Sequence, residues 1–202
     1  TQKLALTPTR YHVENFPNDD FLVIPKVSSE RRSYIPIGYL TQEVVVSDLC
    51  FIVNHATVFH FGVLTSAMHM AWVRQVCGRL KSDYRYSAKL VYNNFPWPMD
   101  ATTAQKAKVA ECAKKVLAVR QGYLDKGSTL ADLYDPLYMP APLLKAHQAL
   151  DRAVDRCYRS EKFTSERERV EYLFQCYETL TSPLAPSTPE KKARRGRRKK
   201  EA

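Results

Sequence analysis

The hydrophobic pattern changes period at Thr57, and no other feature narrows the possible folds as far. Before that point apolar residues come in short runs broken by prolines and polar turns. FLVIPKV at 21–27 reads as a short strand, with Pro25 placing it at an edge or a strand end. A polar loop follows from Ser28 to Ser33, then a strand from Tyr34 to Leu40 interrupted by Pro36. Glu43–Val46 and Cys50–Asn54 read as two more short strands, with Asp48 in the turn between them. After Thr57 the apolar positions Phe59, Val63, Met70 and Val73 fall at helical spacing. Gly62 and Thr65–Ser66 divide this stretch into a short helix and a longer one, and Gly78 is expected to end it.

From Gly78 to Pro98 the chain reads GRLKSDYRYSAKLVYNNFPWP. Tyr, Val and Asn favour extended or turn backbone and Pro stops a helix, so this is loop-and-strand composition lying between two helical regions. Arg79, Lys81 and Arg85 alternate here with Tyr84 and Tyr86. Long cationic and aromatic side chains on a scaffolded loop suit phosphate and base-edge contacts, although a solvated charged loop has the same composition. Beyond it, Asp100 or Thr102 caps a helix over 103–121, LADLYDP forms a short one, and Pro142 opens a helix to about Arg159. A last helix follows Thr164 or Ser165, with its stripe at Val170, Leu173, Phe174, Tyr177 and Leu180.

With 45% hydrophobic residues the chain has material for a real core. No run approaches the roughly 18 to 20 apolar residues of a membrane span, and no signal peptide opens it. Absence of an initiator Met at Thr1 suggests a piece of something longer. The net charge of +10 is uneven: Glu190–Glu201 holds eight Lys/Arg and two Glu, leaving 23 basic and 19 acidic groups in residues 1–189. Any nucleic-acid reading must therefore rest on local clusters rather than on the overall charge. Residues 182–202 have no apolar face and are expected to be a disordered basic tail. Five scattered cysteines without zinc spacing read as buried thiols of a reducing cytoplasm.

In SSERRSY at 28–34, serine hydroxyls can donate to phosphate, while Arg31 and Arg32 can bridge phosphates or hold guanine bidentately. An exposed hairpin turn is the plainer alternative. In an extended segment Lys81 and Asp83 point the same way and can read the two halves of one G·C pair; a surface ion pair is the alternative. His60 and His69 read as packed helix histidines rather than catalytic ones. Asn94–Phe95–Pro96–Trp97 approaches the Asn/Asp–Pro–Pro–aromatic tetrapeptide of amine methyltransferases, but Phe replaces the first Pro and no glycine-rich cofactor turn exists. A structural turn is the better reading. His147, Asp151 and Asp155 lie a turn apart, yet His147 belongs to an apolar stripe and Asp155 has Arg159 four residues on, so a metal site is rejected.

The stretches FLVIPKVSSERRSYIPIGYL, FHFGVLTSAMHMAWVRQVCGRLKSDYRYS, LVYNNFPWP, LADLYDPLYMP and LLKAHQALDRAVDRCYR together resemble the C-terminal third of MmeI-like, type IIL DNA methyltransferases, in unbroken order from about Asp20 to Leu180. The resemblance implies an α+β chain: a small mixed or antiparallel β-rich target recognition domain with one long helix at 1–98, then a C-terminal helical bundle at 99–181. It implies recognition of double-stranded DNA for an adenine methyltransferase domain lying upstream in the same parent chain. No cofactor site and no catalytic residue are expected here, S-adenosylmethionine belonging to that upstream domain. The DNA-contacting positions so implied are Ser28, Ser29, Glu30, Arg31 and Arg32, with Lys81, Asp83, Arg85 and Tyr86; Tyr34, Arg79 and Ser82 of the same loops complete the candidate DNA-binding set. A cytoplasmic, nucleoid-associated location goes with that role. The alternatives are a standalone single-stranded nucleic-acid binder stacking bases on its tyrosines, and a protein–protein docking module.

Overall fold

The computed structural model describes residues 17–182; the basic tail expected to be disordered lies outside them. The β-rich half opens with β1 (Phe21–Pro25), β2 (Val27–Ser28), β3 (Gly38–Leu40) and β4 (Cys50–Val53). Two helices follow, α1 (Val58–Leu64) and α2 (Ala67–Val76), then the hairpin β5 (Gly78–Leu80) and β6 (Asp83–Arg85) and one π-helical turn at Ala88–Tyr92. The helical half comprises α3 (Thr103–Leu124), α4 (Leu130–Leu133), α5 (Ala141–Tyr158) and α6 (Glu166–Thr181).

The strands form two antiparallel sheets, ordered β3-β1-β4 and β2-β6-β5. Pro25 ends β1 beyond the last residue paired with β3, so its missing N–H costs that ladder nothing. Two expected strands are smaller than their composition suggests. Tyr34–Leu40 is ladder-paired only from Gly38, and Glu43–Val46 is an unpaired, largely exposed segment despite its three valines. β-propensity reports fit to a pleated, half-buried surface, and these valines find no such surface. The expected long helix is also shorter: α2 has 10 residues, ends at Cys77, and leaves Gly78 to begin β5.

Capping explains the helix starts. Thr57 and His60 form a capping box at α1, the Thr57 N–H donating to His60 Nδ1 at 3.0 Å. Ser66, Thr102 and Ser165 accept backbone N–H bonds at α2, α3 and α6. His60 thus serves the fold, and so does His69, which is buried with Nε2 2.9 Å from the Tyr86 hydroxyl.

One core runs through both halves. Gly62 of α1 lies so close to α3 and α5 that a Cβ there would stand 2.7 Å from Val109 and 3.3 Å from Leu150. Trp72 of α2 packs its ring 5.3 Å from Phe174 and 5.7 Å from Tyr177 of α6, and donates Nε1–H to the Val91 carbonyl. The tetrapeptide at 94–97 is sealed by the same packing: Phe95 is buried, and Tyr158 donates to the Pro96 carbonyl at 2.9 Å. It is a structural turn.

Polar side chains cross-link the halves beneath the strands. Tyr34 donates to Asp151 at 2.6 Å, and the other Asp151 oxygen accepts the Ala67 N–H at 2.7 Å. Arg120, fully buried, donates to the Ile37 carbonyl at 2.7 Å and to the Tyr134 hydroxyl, which lies 2.7 Å from His147 Nε2. Asp155 is not paired with Arg159, as its spacing suggested. It takes a bidentate grip from Arg169 of α6 at 2.9 and 2.6 Å, while Arg159 holds Glu168. The cysteines are unpaired, but only Cys112 and Cys157 are buried.

Candidate nucleic-acid interface

The second sheet brings together two turns that are 50 residues apart in the chain. β2 pairs with β6 (Val27 opposite Arg85, Ser28 opposite Tyr84), so the turn after β2 sits beside the β5–β6 hairpin. That turn, Ser29–Arg32, closes with Arg32 N–H donating to the Ser29 carbonyl at 3.2 Å. Two bonds fix its place against the hairpin: Glu30 N–H donates to Asp83 Oδ1 at 3.3 Å, and the Glu30 carboxylate lies 3.5 Å from Arg79. Arg79 also donates to the Ser82 carbonyl and covers the Tyr84 ring at 4.3 Å. Such cross-bracing restricts the rotamers of long side chains before any ligand arrives.

Strand alternation sorts the twelve candidate residues. Opposite Tyr84, Ser28 points inward and is buried. Tyr34 and Tyr86 are buried as well, one holding Asp151 and the other His69, so this fold does not present Ser28, Tyr34 or Tyr86 at the surface. Burial, then the neighbouring Asp151, pushes the Tyr34 hydroxyl well up, so it stays a donor. Glu30, Arg31, Arg79, Lys81, Ser82 and Arg85 are exposed, and Ser29, Arg32 and Asp83 are half-buried. Nine of the twelve are thus exposed or half-buried, on the two adjoining turns and the strands beside them, with Arg85 of the central strand on the face opposite Arg79 and Tyr84.

Lys81 and Asp83 do not stand two apart on one strand. Leu80 pairs with Asp83, making Lys81–Ser82 a two-residue hairpin turn in which Lys81 takes φ +56°. The argument for a shared direction fails at the turn, and Asp83 is already occupied by Glu30 N–H. Among the described residues the side chains of Arg31, Lys81 and Arg85 make no ion pair, and all three are exposed. With Tyr84 and Tyr86 buried and Tyr92 half-buried, the tyrosines of the hairpin region offer no stacking platform to single-stranded bases.

Sequence reading missed Arg120, which extends the buried series Val109, Val116 of α3 by one more turn. A charge sitting on an apolar stripe was the available signal.

Comparison with known proteins decides the family. Residues 1–99 match the family described as MmeI, target recognition domain, and residues 101–185 match MmeI, C-terminal domain. The chain belongs to the MmeI family. Against DNA methyltransferase A of Bacillus subtilis (strain 168) it is 42% identical over 181 residues, which is 90% of this chain and 20% of that protein. The solved structure of the type IIL restriction–modification enzyme MmeI in complex with DNA superposes with a TM-score of 0.82 at 42% identity, over 90% of this chain and 24% of that one. The chain therefore spans between a fifth and a quarter of the length of these MmeI relatives.

The cofactor implied by a methyltransferase does not fit this part of an MmeI protein. A recess of about 870 Å³ beside Asp19, Asp20, Tyr39 and His55 opens broadly to solvent and lacks the enclosed apolar slot an adenosyl group needs. No group of His, Cys, Asp and Glu suited to a metal and no helix long and apolar enough to cross a membrane occurs among the described residues.

Proposed function

We propose that this chain is the double-stranded DNA recognition module of an adenine-specific methyltransferase of the MmeI type, with residues 1–98 reading sequence and 99–181 buttressing them. The observation that carries the reading is the pairing of β2 with β6, which sets the Ser29–Arg32 turn and the Lys81–Ser82 turn side by side. A surface bearing Arg31, Lys81 and Arg85, exposed and without ion-pair partners among the described residues, is matched to the acceptor-rich edge of guanine and to phosphate oxygens in the major groove. Glu30, Arg79 and Asp83 hold the two turns in register. The helical half is already packed against the recognition half through Gly62, Arg120 and Asp151, so it supports the edge as one body.

The chemistry lies elsewhere in the parent chain. An upstream domain holding S-adenosylmethionine would take the flipped adenine, since its amine is unreachable within the stack. What this chain contributes is position and choice of sequence. Work on DNA places the parent protein in the cytoplasm, against the nucleoid.

The test is methyl transfer by the full parent chain from S-adenosylmethionine to duplex DNA, with single-stranded competitor. Transfer should fall at one adenine per recognised sequence, and a single strand should compete poorly. Arg31→Ala should lower binding. If Arg31 touches only phosphate, all sequences lose equally and the salt slope shrinks by about 0.9; if it reads a base, discrimination at one position drops by about 1–3 kcal/mol. Equal competition by single-stranded DNA would end the reading.

A further inference from the structure

A second cationic surface lies along the seam between α3 and α5. The two helices run antiparallel: Gln105 near the start of α3 donates to the Arg156 carbonyl near the end of α5 at 2.5 Å. On their outer side is an open recess of about 620 Å³, with Lys108 and Lys115 on one wall, Arg152 and Arg156 on the other, and Ala149 and Ala153 in its floor. Glu111 is the one carboxylate facing these cations from α3, and both lysines engage it, at 2.8 and 2.7 Å. The carboxylates of α5 are hydrogen-bonded to other groups: Asp151 accepts from Tyr34 and Ala67, Asp155 from Arg169. On the other flank of α5 a second recess, of about 320 Å³, brings Asp151, Asp155 and Glu161 beside Arg152 and Arg156, and there Glu161 accepts from Ser160. Among the described residues the guanidinium groups of Arg152 and Arg156 have no ion pair and no hydrogen bond, and both side chains are exposed.

The seam points at the recognition turn. Arg32 of that turn shares a recess with Tyr123, at the end of α3, and Pro140, which caps the start of α5. At about 1.5 Å of rise per residue, the four cations stand about 12 to 24 Å along the seam from that recess. A duplex rises about 3.4 Å per base pair, so the same span covers about four to seven base pairs.

We infer that the α3–α5 seam is a sequence-independent DNA surface, taking the phosphodiester backbone of the same duplex about four to seven base pairs beyond the recognised sequence. The inference rests on the DNA-reading function proposed above and adds to it a place and a partner. Arg152 and Arg156, one helical turn apart on α5, are the phosphate ligands. Lys108 and Lys115 release Glu111 in part and add to the field. A small-residue floor keeps the bottom of the seam low and lets a phosphate ridge settle between the walls.

The experiment uses the full parent chain carrying Arg152→Ala and Arg156→Ala together, and measures affinity for duplexes across a salt series. Both residues are exposed, and a thermal melt matching wild type verifies the fold. Expected is a log affinity against log salt slope shallower by about 1.8, since each lost phosphate contact removes about 0.9. The preferred sequence should be unchanged, and the difference should vanish on duplexes whose flank on that side is cut below about four base pairs. A wild-type slope on long duplexes, with sequence-specific binding intact, overturns this inference and leaves the recognition function standing. Unchanged affinity and slope with lost methyl transfer would assign the seam to an acidic segment of the parent chain and also overturn it. Wild-type parent without any sequence preference would remove the function itself.

Discussion

Lys81 holds φ at +56°, a backbone region that a side chain with a Cβ enters at a cost of roughly 1–2 kcal/mol and glycine enters freely. A glycine would suit the hairpin better, yet the position carries one of the three exposed cations. Lys81→Gly is therefore expected to raise the stability of the chain by about 1 kcal/mol in denaturant melts while weakening DNA binding. Both changes falling in the same direction would mean that Lys81 has no role outside the turn. The buried tyrosines show the reverse assignment. Tyr34 and Tyr86 lie in the same motifs as the exposed cations, and their residue type alone fits either the DNA or the core. Their hydroxyls are spent on Asp151 and His69, partners 117 and 17 residues away, which sequence spacing cannot reveal.

Among elements, the crossing of α1 over α3 and α5 depends on the missing side chain at Gly62. Gly62→Ala would push a methyl to 2.7 Å from Val109 and 3.2 Å from Ala113, and both lie on the packed face of a 22-residue helix with little room to yield. A loss of about 1–3 kcal/mol is expected, read as a lower denaturant midpoint with unchanged slope. Helices were the most legible part of the sequence because caps and apolar stripes are local signals. Thr102, Pro142 and Ser165 marked the starts of their helices to within a residue. Strands were less legible, since pairing is decided by distant partners: three valines at 44–46 stay unpaired, whereas Val27–Ser28 pairs with β6. The two motifs of the candidate edge were legible as exposed, charged turns. Its cross-bracing by Glu30 was not, because nothing local ties residue 30 to residues 79 and 83.

For the molecule as a whole, the buried titrating groups set the response to acid. Burial holds His69 down to about 3, and burial with Arg120 nearby does the same to His147. Both stay neutral in the folded chain while an unfolded histidine protonates near 6.5, so stability present above that pH is lost as pH falls toward 3. Asp151 opposes them. Burial pushes its carboxyl up to about 6, so its contribution is fully present below 3.8 and lost as pH rises through 6. Between about pH 4 and 6 unfolded His69 and His147 hold two protons against one on folded Asp151, so these three groups together lower stability by about 1.4 kcal/mol for each unit that the pH drops. Asp151→Asn removes the opposing proton and should nearly double that slope, as urea melts across this range would show. An unchanged slope would mean that Asp151 ionises normally beneath Tyr34.

The same single body sets two turns of distant sequence side by side, and the proposal that they read DNA together is most directly tested by binding-site selection with the full parent chain. Wild type, Arg31→Ala and Lys81→Ala would be selected against random duplex side by side. Relaxed preference is expected in both variants at positions that adjoin or overlap, because β2–β6 pairing holds the two turns together. If both variants return the wild-type sequence with wild-type affinity, these turns do not read DNA.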